Sequence, residues 1–273
     1  MNLILATLIG ALAGLHISTW GMYKDAPHEG FTWGKFFRST AVGAAIGLGA
    51  HGFLRWDLAG DPGARFLYWA LCYLLERAAT EFWKYFIREE DQSKYFIPMQ
   101  FGMFGKPMKD ARRRIGIGLA VAAGCVLLFA GIRALEARYA PAPTWLVVVT
   151  VGAVFGWVSA LGGAWKDAPI EGFELFKFFR SPAVAAAWAA ACASLTTSWA
   201  VLAICAEGLT VASIETYKTF FFPHRPRGKF AGKPVLHPEF LRLRRGFVPH
   251  YAAIWLVVLG HAAWAIANAV GGG

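Results

Sequence analysis

The sequence predicts an all-α polytopic membrane protein with about eight transmembrane helices. We expect two parallel four-helix repeats about a pseudo-two-fold axis along the membrane normal. Three observations predict this fold: an apolar composition, long apolar segments between basic loops, and a charged motif that occurs twice. Of the 273 residues, 57% are hydrophobic and 16% are charged, with a mean hydropathy of +0.44. Soluble proteins have about 45–50% apolar and about 25% charged residues. This composition excludes a disordered chain, a soluble nucleic-acid-binding domain and a secreted disulfide scaffold.

Eight segments are predicted to be membrane spans, since a transmembrane helix needs about 20 mostly apolar residues. The first begins without basic residues and is therefore expected to be a retained helix and not a signal peptide. Residues 182–221 are too long for one span, and we expect a turn at residues 194–197. The second and sixth segments are short enough to be tilted, half-buried or re-entrant. The predicted spans are 3–22, 40–54, 66–87, 115–132, 144–163, 182–196, 198–221 and 250–270.

The basic residues fall on one side of this topology. With eight spans, one side holds 20 of the 27 Lys and Arg residues and the opposite side holds four. The positive-inside rule makes the basic side cytoplasmic. We therefore expect a bacterial inner (plasma) membrane protein with both termini outside, whose net charge of +10 lies near anionic phospholipids. The basic loops are 23–39, 88–114, 164–181 and 222–249.

A charged motif occurs twice, and one constant shift carries residue 21 of the first copy onto residue 163 of the second. We call this shift the repeat offset. Residues 21–41 and 163–183 are identical at 14 of 21 positions, and both contain KDAPxEGF followed by KFFRS. The chain is therefore predicted to consist of the repeats 1–138 and 139–273. Because each repeat holds an even number of spans, both have the same orientation. This architecture resembles that of major-facilitator carriers, which repeat a cytoplasmic gating motif in both halves, although the motif and the span count differ.

The repeated motif follows the first span of each half. Pro27 is expected to end that span and Gly30 to permit a turn, and residues 35–38 are expected to lie at the membrane interface. One interpretation is a helix-end staple, in which the acidic groups pair with nearby basic groups. The other is a charged gate or an anion-binding surface. The residues concerned are Lys24, Asp25, Glu29, Lys35 and Arg38, with the equivalents Lys166, Asp167, Glu171, Lys177 and Arg180.

A second group of ionisable residues lies within or near the predicted spans, where such residues usually line a cavity or pair inside the bundle. Glu207 lies deepest and is either protonated and paired or part of a proton-coupled or ligand-coupled path. Two residues with i,i+3 spacing on a helix can face each other, which predicts two Glu–Lys pairs. His51 and His261 are expected to pack and not to act as ligands. The group consists of Glu76, Arg77, Glu81, Lys84, Glu207, Glu215 and Lys218, of which Glu81 with Lys84 and Glu215 with Lys218 form the predicted pairs.

The sequence predicts no metal site and no cofactor. The acidic residues of the repeated motif are a weak candidate for a divalent ion, because neighbouring lysines offset part of their charge. Four cysteines lie in predicted spans without CxxC spacing and are expected to be reduced. They are Cys72, Cys125, Cys192 and Cys205.

Functions of different classes fit these features. We expect an integral membrane transport protein, a carrier or a channel, with a path between the two halves that uses both copies of the motif. The alternative is a membrane-embedded enzyme of lipid metabolism that acts, with a divalent cation, on a phosphate-bearing lipid or a nucleotide-activated headgroup at the cytoplasmic interface. A third is a non-catalytic membrane subunit or scaffold. The expected partners are the lipid bilayer with its anionic phospholipids and a small-molecule or lipid ligand, without nucleic acid. An oligomer is compatible with the sequence.

Overall fold

Long α-helices make up most of the chain. The computed structural model describes residues 1–139, 144–223 and 228–271, with side chains up to residue 268. Arg225 and Arg227, which belong to the fourth basic loop, lie outside the described residues. Within the described ranges, eight helices have 18 or more residues. The elements are α1 Asn2–Glu29, α2 Trp33–Leu54, α3 Pro62–Phe82, β1 Gly102–Met103, β2 Lys106–Pro107, α4 Ala111–Tyr139, α5 Trp145–Glu171, α6 Leu175–Cys192, α7 Trp199–Phe220, α8 Phe240–Leu243 and α9 Phe247–Gly271.

Five segments of the described chain are long and apolar enough to cross a membrane. Such segments are what an integral membrane protein requires. In the segment within α4, only 11% of the most apolar window is buried inside the protein, so most of this apolar surface suits contact with lipid. The count of eight spans stays a prediction, because α2, α3 and α6 are helical but fall outside this set. The five segments are Asn2–Glu29, Ala111–Tyr139, Trp145–Glu171, Trp199–Phe220 and Phe240–Asn268.

The predicted turn between the sixth and seventh apolar segments is confirmed. The helix α6 ends at Cys192 and α7 begins at Trp199. The carbonyl oxygen of Cys192 accepts the backbone N–H groups of Leu195 at 2.9 Å and Thr196 at 3.2 Å. The Thr196 hydroxyl then accepts the N–H of Ser198 at 3.2 Å. Local backbone hydrogen bonds and the Thr196 hydroxyl therefore stabilise the turn.

The described residues form two compact units that do not follow the order of the chain. The first unit contains Met1–Arg77, the end of α7 from Val211 and the chain from Pro234 onward. The second unit contains Ala78–Thr210 and the short segment that ends at Lys233. Consequently α9 belongs with α1 and α2, whereas α4 belongs with α5 and α6. Each unit combines the first helices of one predicted repeat with the last helix of the other.

Buried side chains within each unit follow this exchange. In the second unit, Ile132 of α4 is buried in a core with Phe155 of α5 and Trp199 of α7. In the first unit, the rings of Phe36 on α2 and Phe247 on α9 pack edge to face with their centroids 5.5 Å apart. Apolar contacts therefore fix the last helix of each repeat in its unit.

The helices α1 and α2 pack through small residues in the first unit. Gly10 and Gly14 on α1 lie against Ser39, Gly43 and Gly47 on α2. A Cβ atom added to Gly10 or Gly43 would overlap the carbonyl oxygen of the other glycine. G-x-x-x-G spacing on both helices allows this close backbone approach, which is a common packing mode in membranes.

The helices α5 and α6 pack in the corresponding way in the second unit. A Cβ atom added to Gly152 would overlap the side chain of Ala189, and one added to Gly156 would meet Pro182 and Ala185. The repeat offset relates these two glycines and two alanines to the small residues of α1 and α2. Positions that the repeat offset relates therefore carry small residues at the helix contacts in both units.

Pro27 does not end α1, so this prediction was wrong. The helix continues to Glu29 with Pro27 in its last turn, and it ends at Gly30, where φ is 73°. The second copy ends alike, with Pro169 inside α5 and Gly172 at φ 85°. A proline in the last turn removes only one helical hydrogen bond. Glycine ends the helix here because it adopts a positive φ without steric cost.

Arg244 completes the end of α1. Pro27 has no N–H group to donate to the carbonyl oxygen of Tyr23, which lies four residues earlier. The Nη1 atom of Arg244 donates to this oxygen at 3.1 Å, and its Nη2 atom donates to the carbonyl oxygen of Pro223 at 3.1 Å. The guanidinium also lies 4.4 Å from the ring centroid of Tyr23. A residue from a basic loop therefore satisfies the carbonyl group that the proline leaves open.

The segment that precedes α8 docks on the same helix end. The carbonyl oxygen of Pro27 accepts hydrogen bonds from the backbone N–H groups of Leu236 at 3.0 Å and His237 at 2.9 Å. The Nδ1 atom of His28 donates to the carbonyl oxygen of Pro234 at 2.9 Å. The last turn of α1 therefore has backbone partners from a distant part of the chain, which holds the repeated motif in place.

The loop between α3 and α4 is fixed by Arg114 in the second unit. After α3 the chain forms a π-helical turn, Trp83–Ile87. Arg114 is 1% exposed, and its guanidinium donates to the carbonyl oxygens of Phe86 and Met108, each at 2.9 Å. An arginine at the start of α4 thus satisfies carbonyl groups of the preceding helix end and of the hairpin segment.

Glu90 organises the first part of this loop. Its carboxylate accepts a hydrogen bond from the Tyr95 hydroxyl at 2.9 Å and pairs with Lys94 and Arg88. Partial burial raises the pKa of the Glu90 carboxyl, but the hydrogen bonds from Lys94 and Tyr95 and the charge on Arg88 outweigh it, so the pKa lies below its ordinary value. The folded loop therefore favours the ionised carboxylate.

Candidate functional site

A buried cluster of aromatic and polar side chains lies in the first unit, among four helices. We call it the His16 cluster. On α1, α3 and α9 its members recur every four residues, which places them on one face of each helix. They are His16, Trp20 and Lys24 on α1, Trp69, Tyr73 and Arg77 on α3, Glu215, Thr216 and Lys218 on α7, and Tyr251 and Trp255 on α9.

His16 lies at the centre of a cage of aromatic rings. Its side chain is 0% exposed. The ring of Tyr251 stacks on the imidazole with the centroids 4.2 Å apart and the planes 28° apart. The rings of Trp69, Tyr73 and Trp255 approach at 5.2–5.4 Å with steep interplanar angles. Neither ring nitrogen of His16 has a hydrogen-bond partner among the described residues.

Hydroxyl and indole groups form a hydrogen-bond network beside the cage. The Thr216 hydroxyl donates to the carbonyl oxygen of Ala212 at 2.7 Å, so its oxygen accepts the Tyr251 hydroxyl at 2.6 Å and the Trp255 indole N–H at 3.1 Å. A hydroxyl has one proton to donate, which fixes these directions. On the other side, the indole N–H of Trp20 donates to the Tyr73 hydroxyl oxygen at 3.1 Å.

Charged groups lie at the end of the cluster nearest the repeated motif. The Nζ atom of Lys24 is 3.7 Å from Glu215, and that of Lys218 is 3.5 Å from the same carboxylate. Two cations lie near the ring of Trp20, with Arg77 at 5.1 Å and Lys24 at 5.7 Å from its centroid. His16 and Lys24 are eight residues apart on α1, which is about 12 Å at 1.5 Å per residue. The cluster therefore runs from a charged end to a buried imidazole.

The second copy of the motif makes different contacts in the second unit. The Nζ atom of Lys177 lies 3.3 Å from Asp167 and 2.7 Å from Glu171, so one lysine of α6 binds both acids of α5. The Nζ atom of Lys166 donates to the sulfur of Met99 at 3.3 Å and lies 5.7 Å from the ring centroid of Tyr85. This copy forms the helix-end staple, whereas Lys24 in the first copy pairs with α7.

The remaining predicted residues are divided between the units. Both predicted i,i+3 pairs form, and Glu81 lies 3.4 Å from Lys84 in the second unit. Glu207, also in the second unit, is 2% exposed and accepts a hydrogen bond from the Ser159 hydroxyl. Glu76 is fully buried on α3 in the first unit. Asp25 and Glu29 lie in the last turns of α1, Lys35 and Arg38 are exposed at the start of α2, and Arg180 is half-buried on α6.

Sequence reasoning missed His16 and its aromatic neighbours. It singled out His51 and His261 instead, as residues within predicted spans. In the structure, His261 donates from Nδ1 to the carbonyl oxygen of Val257 at 2.8 Å on its own helix, as a packing residue would. The available signal was the i,i+4 spacing of polar and aromatic residues inside apolar segments, as in His16 with Trp20 and in Tyr251 with Trp255.

Side chains that could ligate a metal ion are not grouped together among the described residues. Among them, no group of three or more His, Cys, Asp or Glu side chains is close enough to hold a metal ion. All four cysteines carry thiols, and Cys72, Cys192 and Cys205 are buried. The His16 cluster, in contrast, combines cations, one carboxylate, hydroxyl groups and an imidazole. These groups can bind an anion and exchange protons.

Comparison with protein-family models, with curated proteins and with solved structures gives no match.

Proposed function

We propose that the protein is an integral membrane transport protein for a small anion, with the charged end of the His16 cluster as its gate or binding surface. The observation that carries this proposal is the grouping of Lys24, Arg77 and Lys218 with Glu215 among apolar helices. Ionisable groups inside a membrane bundle are costly and usually mark a solute path. Lysine and arginine side chains offer an anion charge-assisted hydrogen bonds.

We also propose the eight-span topology with both termini outside a bacterial inner membrane. In it, the two repeats are parallel and the path follows their pseudo-two-fold axis. The repeats are supported by matching helix ends at Gly30 and Gly172 and by matching glycine contacts, all related by the repeat offset. In this topology the basic loops face anionic phospholipids, which we propose as lipid partners.

The test is anion entry into proteoliposomes. Vesicles that contain the purified protein and valinomycin are shrunk in hyperosmotic potassium phosphate, potassium chloride or potassium acetate, and re-swelling is followed by light scattering. Since valinomycin carries potassium, the anion limits the rate. We expect faster re-swelling than in protein-free vesicles with at least one salt, and slower re-swelling with the Lys24→Met/Lys166→Met double variant. Equal rates in vesicles with and without folded protein, for all three salts, would overturn the proposal.

A second candidate is a membrane-embedded enzyme that acts on a phosphate-bearing lipid or headgroup. It is favoured by the asymmetry of the His16 cluster. At the positions related by the repeat offset, Val158 stands in place of His16 and Gly162 in place of Trp20. A path that used both halves equally has no need of this difference, whereas an active site occurs once.

Native mass spectrometry of protein released gently from its membrane separates the two candidates. A phosphorylated lipid or nucleotide that is retained by the wild type and lost in the Lys24→Met variant would favour the enzyme. The Lys166→Met variant is the matched control from the second copy. If the wild type carries only bulk lipid that neither substitution changes, transport remains the better account.

A further inference from the structure

We propose that His16 is a proton-binding site, so that the transport proposed above is coupled to protons. The inference rests on that proposed function and adds the coupling ion. Its basis is an imidazole that is 0% exposed and has no hydrogen-bond partner for either nitrogen among the described residues. Buried polar atoms are normally paired, and an unpaired one asks for an explanation.

The surroundings of the imidazole select a proton as its ligand. Tyr251 covers one ring face at 4.2 Å, and Trp69, Tyr73 and Trp255 close the sides at 5.2–5.4 Å. A neutral imidazole has one nitrogen lone pair that can accept a proton. A proton needs no additional volume, whereas any solute would have to displace a ring.

Titratable groups of the cluster lie next to the imidazole and near its charged end. The titratable groups that face His16 are Tyr73 from α3 and Tyr251 from α9, and the Tyr251 hydroxyl is hydrogen-bonded to Thr216. Tyr73 also lies in the electrostatic field of Arg77 and Glu215 at the charged end. In the proposed step, a proton from bulk water reaches the Glu215 carboxyl and moves to the imidazole lone pair. Glu215 is again ionised, and the imidazole gains one positive charge.

The buried position of His16 couples its protonation to the conformation of the cluster. A charged group in an apolar cage is strongly disfavoured, so protonation must be accompanied by a rearrangement that brings water or a carboxylate to the ring. Conversely, loss of the proton favours the closed cage that the structure contains. If protonation of His16 favours one of two conformations, a proton gradient shifts the balance between them.

Solid-state ¹⁵N NMR of ¹⁵N-histidine-labelled protein in proteoliposomes tests the site without a known solute. The wild type is titrated between about pH 5 and about pH 8, where histidine changes charge. Among the histidine signals that change with pH, we expect one to be absent from both His16→Gln and His16→Phe. His16→Phe keeps an aromatic ring in the cage, so it serves if the glutamine variant does not fold. His261→Gln, another intramembrane histidine outside the cluster, is the matched control and keeps the signal.

Proton flux is measured in the same vesicles with the pH dye pyranine inside. At equal anion entry, measured by re-swelling, we expect a larger change in luminal pH with wild type and His261→Gln than with His16→Phe, since the proton that phosphate itself carries is then the same in all three. A His16 signal that stays neutral across this pH range overturns the inference. Anion entry that is identical in wild type and His16→Phe at every imposed pH gradient also overturns it and leaves transport standing. A titrating His16 in protein that moves none of the tested anions keeps the proton site and removes the proposed function instead.

Discussion

The Nζ atom of Lys24 lies 3.7 Å from the Oε2 atom of Glu215, which joins the repeated motif to the end of α7 in the first unit. In the second unit, the equivalent motif is held within itself, because Lys177 binds Asp167 and Glu171. Two segments that are identical at 14 of 21 positions therefore differ in the electrostatic partners of their lysines.

The two copies of the motif should respond differently to loss of the lysine of the KFFRS segment, which is Lys35 in the first copy and Lys177 in the second. Lys177→Met removes the cation shared by Asp167 and Glu171, and we expect a lower Tm. The cost should lie between the about 0–1 kcal/mol of an exposed ion pair and the about 3–5 kcal/mol of a broken buried one. Lys35→Met is the matched control at the equivalent, exposed position and should leave the Tm unchanged. Equal losses of Tm in Lys177→Met and Lys35→Met would show that both copies of the motif form helix-end staples.

Glu215 should matter more for stability than Glu81, the glutamate of the other predicted i,i+3 pair. Glu215→Gln leaves Lys24 and Lys218 without their shared carboxylate, in a place where the Glu215 side chain is 14% exposed. The Glu81 side chain is 36% exposed and faces Lys84. We expect a clearly lower Tm for Glu215→Gln than for Glu81→Gln, because Glu215 is the less exposed carboxylate and pairs with both Lys24 and Lys218. A lower Tm for Glu81→Gln than for Glu215→Gln would contradict the pairing of Glu215 with both lysines.

The contact between α1 and α2 should not tolerate a larger side chain. Gly43→Leu forces the helices apart, since even a Cβ atom overlaps the carbonyl oxygen of Gly10. Overpacking typically costs about 1–3 kcal/mol. Gly49→Leu on the same helix is the control, because a Cβ atom there meets no atom within 4 Å. A thiol-reactive dye can follow unfolding through the buried thiols of Cys72 and Cys192. Similar melting curves for both variants would refute close packing.

Arg244 and Pro27 should be energetically coupled. Arg244→Gln leaves the carbonyl oxygen of Tyr23 without its donor, and a buried unsatisfied group costs about 1–3 kcal/mol. In a Pro27→Ala background the new N–H group can donate to that oxygen, so the same substitution should cost less. Pro169→Ala, at the equivalent position of α5, should give no such relief. The Tm values of these variants complete the double-mutant cycle, and additive losses would exclude the coupling.

The stabilising contribution of Glu90 should depend on pH. Its pKa is lowered in the folded loop, so the contribution is present above the ordinary carboxyl pKa and is lost as the pH falls through the lowered one. We expect Glu90→Gln to have a lower Tm than wild type near neutral pH and a Tm equal to it in strong acid. A Tm difference that stays constant over this pH range would show that the carboxylate charge is not the cause.

Local features of the fold were predictable from the sequence. Apolar runs predicted the long helices, and residues 194–197 predicted the break between α6 and α7. The i,i+3 spacing predicted the pairs Glu81–Lys84 and Glu215–Lys218. Each of these depends on residues that are close in the chain. Pro27 was misjudged because the partner that makes it tolerable, Arg244, comes from a distant loop.

Long-range packing was not predictable in this way. A helix such as α4 is apolar on every side, so its sequence has no polar face to show which helices it packs against. The grouping of α9 with α1, and of α4 with α5, therefore came only from the structure. His16 was missed for the same reason. Its significance depends on Tyr251, which lies on another helix at the far end of the sequence.

We propose that the His16 cluster of the first unit is part of the path of a transport protein. The most direct test compares the re-swelling rates, in potassium phosphate, of proteoliposomes that carry wild type, Lys24→Met or Lys166→Met. We expect faster re-swelling with wild type than in protein-free vesicles, a marked slowing with Lys24→Met, and a smaller change with Lys166→Met. Rates that are the same for both folded variants and the wild type would contradict it.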